Sequence, residues 1–234
     1  MENILQEIYK TRKDFSEKDK ELIRKAYEFA EKAHEGQMKG KKPFFIHPAT
    51  VGLRLAEWKQ DSQVISAGLL HDTVEDTEVE LPEVKKEFGE KIAFYVDGMS
   101  WSKKKVNGKI VKDYEGLFKK FLEHVKQEPK LAIVKAGDMF RSEPKDVEKF
   151  VNSLKEKGLW NGFQKMINER FRGFWIPFFK EIGFDKLVHQ VEEGRTKFVK
   201  ENNVKIKLYD YISKKDLEEV KNKIKKIKGL EELR

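Results

Sequence analysis

The chain contains no cysteine, which removes disulfides, thiolate metal sites and thiol nucleophiles from the chemistry open to it. It also has no stretch approaching the roughly 20 apolar residues of a membrane span. Its first residues, Met1-Glu2-Asn3-Ile4-Leu5-Gln6-Glu7, lack the basic-then-apolar order of a leader. No membrane association is expected, and the protein reads as cytoplasmic. Any metal it binds must be held by histidine, carboxylate and water.

What is plentiful is charge. Of 234 residues, 38% are charged and 38% hydrophobic, enough for a real core beneath a heavily charged exterior and more in keeping with one large domain than two. Lysine and arginine number 49 against 41 acidic residues, a net charge of +8. That balance suits an anionic partner, whether a nucleotide, a nucleic acid or a membrane surface, and does not choose among them.

The hydrophobic periodicity is overwhelmingly helical, and no internal repeat is visible. Ser16 and Asp19 form a capping-box-like start for a helix in which Leu22, Ile23, Ala26, Phe29, Ala30 and Ala33 recur at helical spacing, with His34 at its end. Gly36 to Pro43, with two glycines and three lysines, reads as a basic loop closed by His47-Pro48, and Pro48 suits the first turn of the next helix. Asp61 or Ser62 can cap a third helix over Val64 to Glu75, apolar nearly all round and therefore central. A fourth helix is expected over Glu83 to Val96. Asn107-Gly108 favours a tight turn in a small hairpin over residues 103–112, with a mobile basic loop as the other reading. Helices follow over Asp113 to Lys126 and from Lys130 to about Phe140, and Phe163 to Lys180 is an aromatic-rich helical stretch carrying Pro177. Val204, Ile206 and Leu208 alternate with lysines as a short strand would, before a charged terminal helix from Lys214 to Leu230.

Chemistry concentrates at Leu70-His71-Asp72-Thr73-Val74-Glu75-Asp76-Thr77, an imidazole and three carboxylates directly behind an apolar run. On a helix His71 and Glu75 share one stripe and Asp72 and Asp76 the next, so one turn presents a hard-cation site. A lone histidine is more often packed or solvated than ligating, and His124 and His189 are read that way. His47 and His71 differ, because the His71-Asp72 pair offers nitrogen and oxygen to one ion; two histidines with carboxylates suit manganese, iron, zinc or magnesium. Asp138 interrupts the apolar run Leu131 to Ala136, where a carboxylate is costly unless it caps, pairs or ligates; Lys135 or Arg141 could pair with it.

His47-Pro48, then His71-Asp72, then an isolated Asp138 resembles the signature of the HD-domain metal-dependent phosphohydrolases. Ala33-His34-Glu35-Gly36-Gln37, Pro43 to Pro48, Gly68 to Thr77, Phe88-Gly89 and Val96-Asp97-Gly98 narrow the resemblance to the hydrolase half of the RelA/SpoT family, over about residues 20 to 185. That family removes the 3′-pyrophosphate of guanosine tetra- and pentaphosphate. The resemblance implies an all-α HD-domain helical bundle, with residues 1–193 as the phosphohydrolase domain and 194–234 as a basic C-terminal extension packed on it. It implies a single ion, typically manganese, on His47, His71, Asp72 and Asp138, with Glu75 and Asp76 positioning or deprotonating the attacking water. Lys39, Lys41 and Lys42 would receive phosphates, and His34 would be a phosphate contact, a support behind the ligands, or helix-end packing.

Two positions depart from the family pattern. Lys39 stands where the family has an arginine that often stacks on guanine, and Ser142 stands where it has an asparagine near the nucleoside. Both weaken guanine specificity and leave the metal chemistry alone. The residues after Gly183 are too few for the synthetase domain of bifunctional members, so a small stand-alone alarmone hydrolase is expected, with a small nucleotide as its partner. The alternatives are an HD phosphohydrolase of another nucleotide, and, ranked last, a basic nucleic-acid or effector-binding protein with a structural HD site.

Overall fold

In the computed structural model, residues 2–100, 102–106, 109–139, 147–196, 199, 207–231 and 233–234 are described. The chain is all-α with minor antiparallel hairpins, and it forms two compact units, Met1–Asp138 and Met139–Arg234. The sequence reading places a boundary at 193/194.

In the first unit, α1 (Glu2–Thr11) and α2 (Glu17–Ala33) lead into a hairpin of β1 (Met38–Lys39) and β2 (Lys42–Pro43), and then α3 (Ile46–Glu57) and α4 (Ser62–Leu70). Ser16 caps α2 with the reciprocal Asp19 contact its sequence announces. The basic loop is therefore a two-pair hairpin, Met38 opposite Pro43 and Lys39 opposite Lys42, with Gly40 at φ 65 supplying the turn. Asp61 caps α4 by accepting from Val64 N, and every residue from Val64 to Leu70 is buried. α4 packs on α2, α3 and α7 (Glu90–Met99), which makes it the central helix.

Two expected helices are divided. The helix expected over Val64 to Glu75 stops at Leu70 and resumes as the single turn α5 (Thr73–Asp76). His71 Nδ1 donates to Gly68 O at 2.8 Å and Thr73 Oγ1 donates to Leu70 O at 2.7 Å, so side chains occupy carbonyls that the backbone ladder would otherwise use. The helix expected over Glu83 to Val96 is α6 (Leu81–Phe88) followed by α7, separated by Gly89 at φ 83. β3 (Ser102–Val106) pairs antiparallel with β4 (Lys109–Asp113), and the Asn107-Gly108 turn lies outside the described residues. Asp113 caps α8 (Tyr114–Gln127), and α9 (Lys130–Met139) follows.

Glycines set the helix spacing around the site. A Cβ on Gly68 would stand 2.3 Å from Leu55 Cδ1, one on Gly52 2.6 Å from Leu69 Cδ2, and one on Gly137 3.2 Å from Leu55 Cδ2. α4 thus approaches α3 more closely than a Cβ on Gly68 or Gly52 would allow, and Gly137 of α9 stands close against Leu55 of α3.

In the second unit, α10 (Val147–Glu156) and α11 (Trp160–Met166) precede a π-helical stretch, Ile167–Trp175, that runs into α12 (Ile176–Glu181) with Pro177 in its first turn. Trp175, Phe174, Phe178, Phe179 and Phe184 are fully buried there, and α13 (Asp185–Val191) closes over them. Leu208 belongs to a single 3₁₀ turn, Leu208–Asp210, instead of a strand, while the Val204 and Ile206 part of that expectation lies outside the described residues. α14 (Lys214–Lys225) ends five residues before the expected Leu230.

Candidate metal centre

His47 sits in the first turn of α3, His71 at the C-cap of α4, Asp72 just before α5, and Asp138 in the last turn of α9. The close crossings at Gly68 and Gly137 bring these three helices together. Ligand atoms of His47, His71 and Asp138 lie within 4.8 Å of one another. His47 Nε2 is 3.1 Å from Asp138 Oδ1 and 3.7 Å from Asp72 Oδ2, and His71 Nε2 is 3.0 Å from Asp72 Oδ1 and 3.8 Å from Asp138 Oδ1. His47, His71 and Asp138 thus bring their donor atoms to one small volume, and the two oxygens of Asp72 face the two imidazoles from beside it.

The donor set fits a divalent cation. With Nδ1–H committed to the Gly68 carbonyl, His71 keeps its lone pair on Nε2, the tautomer a metal needs. That Nε2 is buried and makes no aligned hydrogen bond despite its closeness to Asp72, an orphaned atom that an ion would satisfy. Burial pulls His71 towards its neutral form, but Asp72, Asp138 and the Gly68 carbonyl outweigh it and raise its pKa to about 9. Burial likewise opposes the charge on Asp72, yet His71 and His47 hold its carboxyl down at about 2. Asp138 is also held well below the ordinary carboxylate range against its burial, by Lys135 and the two histidines. The carboxylates are therefore ionised at neutral pH, and in the absence of an ion a proton on His71 partly takes its place.

Asp138 divides its oxygens: Oδ1 faces His47 while Oδ2 accepts from Lys135 Nζ at 2.8 Å. The pairing partner and the metal-facing donor are therefore the same residue. Arg54 was not anticipated. It lies seven residues after His47 on α3 and donates to Gly137 O at 2.6 Å, tying α3 to α9 one residue before Asp138. Its i, i+7 spacing from His47 was the only available signal.

Glu75 and Asp76, on α5, line a cavity of about 620 Å³ together with Gln37, Glu78 and Glu83. His34 is buried, stacked on Phe44 at 4.9 Å, with Nδ1 3.0 Å from Gln37 Oε1. Lys39, Lys41 and Lys42 are exposed on the β1–β2 hairpin, and the Lys39 ammonium stands 5.2 Å over the Phe44 ring. Ser142 lies outside the described residues. No helix among the described residues is long and apolar enough to cross a membrane.

Residues 26–117 match the HD domain family model. The chain is 30% identical over 202 residues to a guanosine-3′,5′-bis(diphosphate) 3′-pyrophosphohydrolase of Aquifex aeolicus, covering 85% of this chain and 27% of that protein. It is 45% identical over 83 residues to a protein of the same name from Borreliella burgdorferi, covering 35% of this chain and 12% of the other. It is 35% identical over 117 residues to a GTP pyrophosphokinase of Streptomyces coelicolor, covering 50% of this chain and 14% of that one. The chain thus spans about a quarter or less of the length of these relatives.

Proposed function

We propose that this chain, an HD-domain protein of the RelA/SpoT type, is a metal-dependent hydrolase that removes the 3′-pyrophosphate of guanosine tetra- or pentaphosphate. The observation that carries the reading is the meeting of His47, His71 and Asp138 donor atoms within 4.8 Å, with Asp72 beside them, in a chain whose relatives are named for that reaction. The alignment to the Aquifex protein spans 85% of the chain, in keeping with a catalytic domain that runs on to about residue 193.

His47, His71, Asp72 and Asp138 would hold the ion, for which manganese is our choice. Once bound there, a divalent cation lowers the pKa of a bound water and offsets charge on a phosphoryl oxygen. Glu75 and Asp76 would take the proton from the attacking water. Water adds to the phosphorus next to the 3′ oxygen, the bond between the two breaks, and the leaving 3′ oxygen acquires a proton, giving pyrophosphate and the nucleoside 5′-diphosphate from the tetraphosphate or 5′-triphosphate from the pentaphosphate. Lys39, Lys41 and Lys42, exposed beside the His47 end of α3, offer positive charge to the phosphates. We assign the reaction to the cytoplasm.

A second reading, hydrolysis of another small nucleotide, is favoured by one contact. Lys39 engages Phe44 through its ammonium and has no planar group to lay against guanine. Both readings meet one test, the release of pyrophosphate or phosphate from a nucleotide panel by metal-stripped protein with and without manganese. Manganese-dependent release from guanosine tetraphosphate, abolished in Asp72→Ala, is expected. Turnover of a different nucleotide would keep the site and change the substrate, and no turnover of any nucleotide with manganese bound would end both readings.

A further inference from the structure

α5 is one turn long, and a single turn cannot hold itself in place. Internally it has the Asp76 N to Asp72 O bond at 2.8 Å, the Thr77 N to Thr73 O bond at 3.1 Å and the Thr77 Oγ1 to Thr73 O bond at 2.7 Å. These fix its shape and say nothing of where it sits. Yet it carries Glu75 and Asp76, to which the proposed function gives the proton of the attacking water.

Gln37 supplies a tie from elsewhere in the chain. Its backbone is held at both ends, N–H donating to His34 O at 3.0 Å in the turn after α2 and C=O accepting from Phe44 N at 2.9 Å where the hairpin closes. Its side-chain amide then spans two groups. Oε1 faces His34 Nδ1 at 3.0 Å, and Nε2 donates to the Asp76 carbonyl at 2.7 Å. Only one orientation of the amide serves both, because a carbonyl oxygen must receive an N–H and the reverse orientation would set two oxygens against each other. His34 must therefore carry its proton on Nδ1, and its ring cannot swing away, being only 2% exposed and stacked on Phe44. The Asp76 carbonyl lies at the C-terminal end of the turn, where helix carbonyls take partners from beyond the helix, and the amide supplies one. Gln37, Glu75 and Asp76 line the same cavity, so the tie lies in the wall of the space the carboxylates face.

We propose that Gln37 is a positioning residue, its amide fastening the turn that carries Glu75 and Asp76 to the buried His34 at the end of α2. The proposal rests on the reading of Glu75 and Asp76 as the proton-handling groups. His47 and Asp138 lie on α3 and α9 and His71 ends α4, while Asp72 adjoins the turn at the end opposite the Asp76 carbonyl, so the tie acts on the proton acceptor and leaves ion binding alone.

Gln37→Met keeps the length and removes both polar ends, and Gln37→Glu keeps an acceptor towards His34 while removing the donor towards Asp76. In both variants kcat for pyrophosphate release is expected to fall by about 10- to 100-fold, the scale on which a small misplacement of a reacting group acts. KM and manganese affinity, the latter read by electron paramagnetic resonance, should stay within about two-fold of the parent protein, well inside ordinary context effects for a residue that touches neither ligand. A residue that merely supported the fold would lower kcat, manganese affinity and melting temperature together, and that outcome overturns the proposal, as does an unchanged kcat. Hydrogen exchange of the peptide spanning residues 73–79 gives a readout free of substrate. Faster exchange in Gln37→Met is expected, and unchanged exchange refutes the tie even if the parent protein proves inert towards every nucleotide, a result that would separately end the functional reading.

Discussion

Asp138 is nearly buried and must be an anion for the site to work, a combination that costs several kcal/mol unless each oxygen has a partner. Lys135, only 8% exposed, is the partner on the side away from the histidines. Lys135→Met removes the ammonium from which Asp138 Oδ2 accepts in this anionic cluster. The metal-free protein should lose about 3 kcal/mol of stability, the usual cost of stranding one member of a buried pair. Added manganese should then restore more stability to the variant than it adds to the parent. Thermal melts with and without the ion test this, and an equal metal-induced rise in both proteins would count against it. His71 gives the matching pH behaviour. Its folded-state pKa lies near 9, above the ordinary 6.5. Its protonation therefore stabilises the metal-free protein fully below about pH 6.5, and that contribution is lost as the pH rises through 9. A bound cation must displace this proton, so manganese binding at pH 7.5 should release about one proton. Calorimetry in buffers of different ionisation enthalpy measures the number, and zero would mean that His71 is not a ligand or is already neutral.

At the scale of helices, the site depends on how closely α4 and α9 approach α3. In Gly68→Ala the new methyl would meet Leu55 Cδ1 at 2.3 Å and Val51 Cγ1 at 3.3 Å, and both side chains are fully buried. The helices must part or Leu55 must repack, at about 1–3 kcal/mol. Because His71 ends α4, manganese affinity should fall as well. Denaturant unfolding and a manganese titration check the two effects, and a variant with parental stability and affinity would show that the crossing has slack. The sequence made the helices legible wherever a cap and a periodic face agreed, as at Ser16 with α2 and Asp61 with α4. It also singled out residues 47, 71, 72 and 138, because histidines and aspartates behind apolar runs are hard to explain as packing. The divided helices were less legible. Between Val64 and Thr73 apolarity is nearly continuous, so periodicity carried no sign of a break that His71 and Thr73 side chains impose locally. Gly89 read as part of a helix because its positive φ is a backbone fact that no neighbouring residue announces. The roles of Arg54 and Gln37 were not legible for a different reason, since each acts on a carbonyl 83 or 39 residues away.

For the whole molecule the governing quantity is charge. The chain carries +8, and the substrate proposed for it is a nucleotide bearing two diphosphates, so encounter is attractive at long range. The near-field share of that attraction falls to exposed lysines, with Lys39, Lys41 and Lys42 on the hairpin just ahead of His47. Exposed charges act through solvent and are screened over about 8 Å at physiological ionic strength, whereas the buried carboxylates and histidines are shielded from salt. The two contributions should therefore separate in kinetics. Raising the salt from about 0.05 to 0.5 M spans the range over which screening of exposed charge becomes nearly complete, and it should lower kcat/KM several-fold while leaving kcat almost unchanged. Lys41→Ala combined with Lys42→Ala should raise KM and flatten that salt dependence without altering manganese affinity. If kcat instead falls with salt as steeply as kcat/KM, the salt is acting on the metal centre itself. If neither responds, the hairpin lysines are ordinary surface residues and the positive charge of the chain serves something other than capture of this substrate.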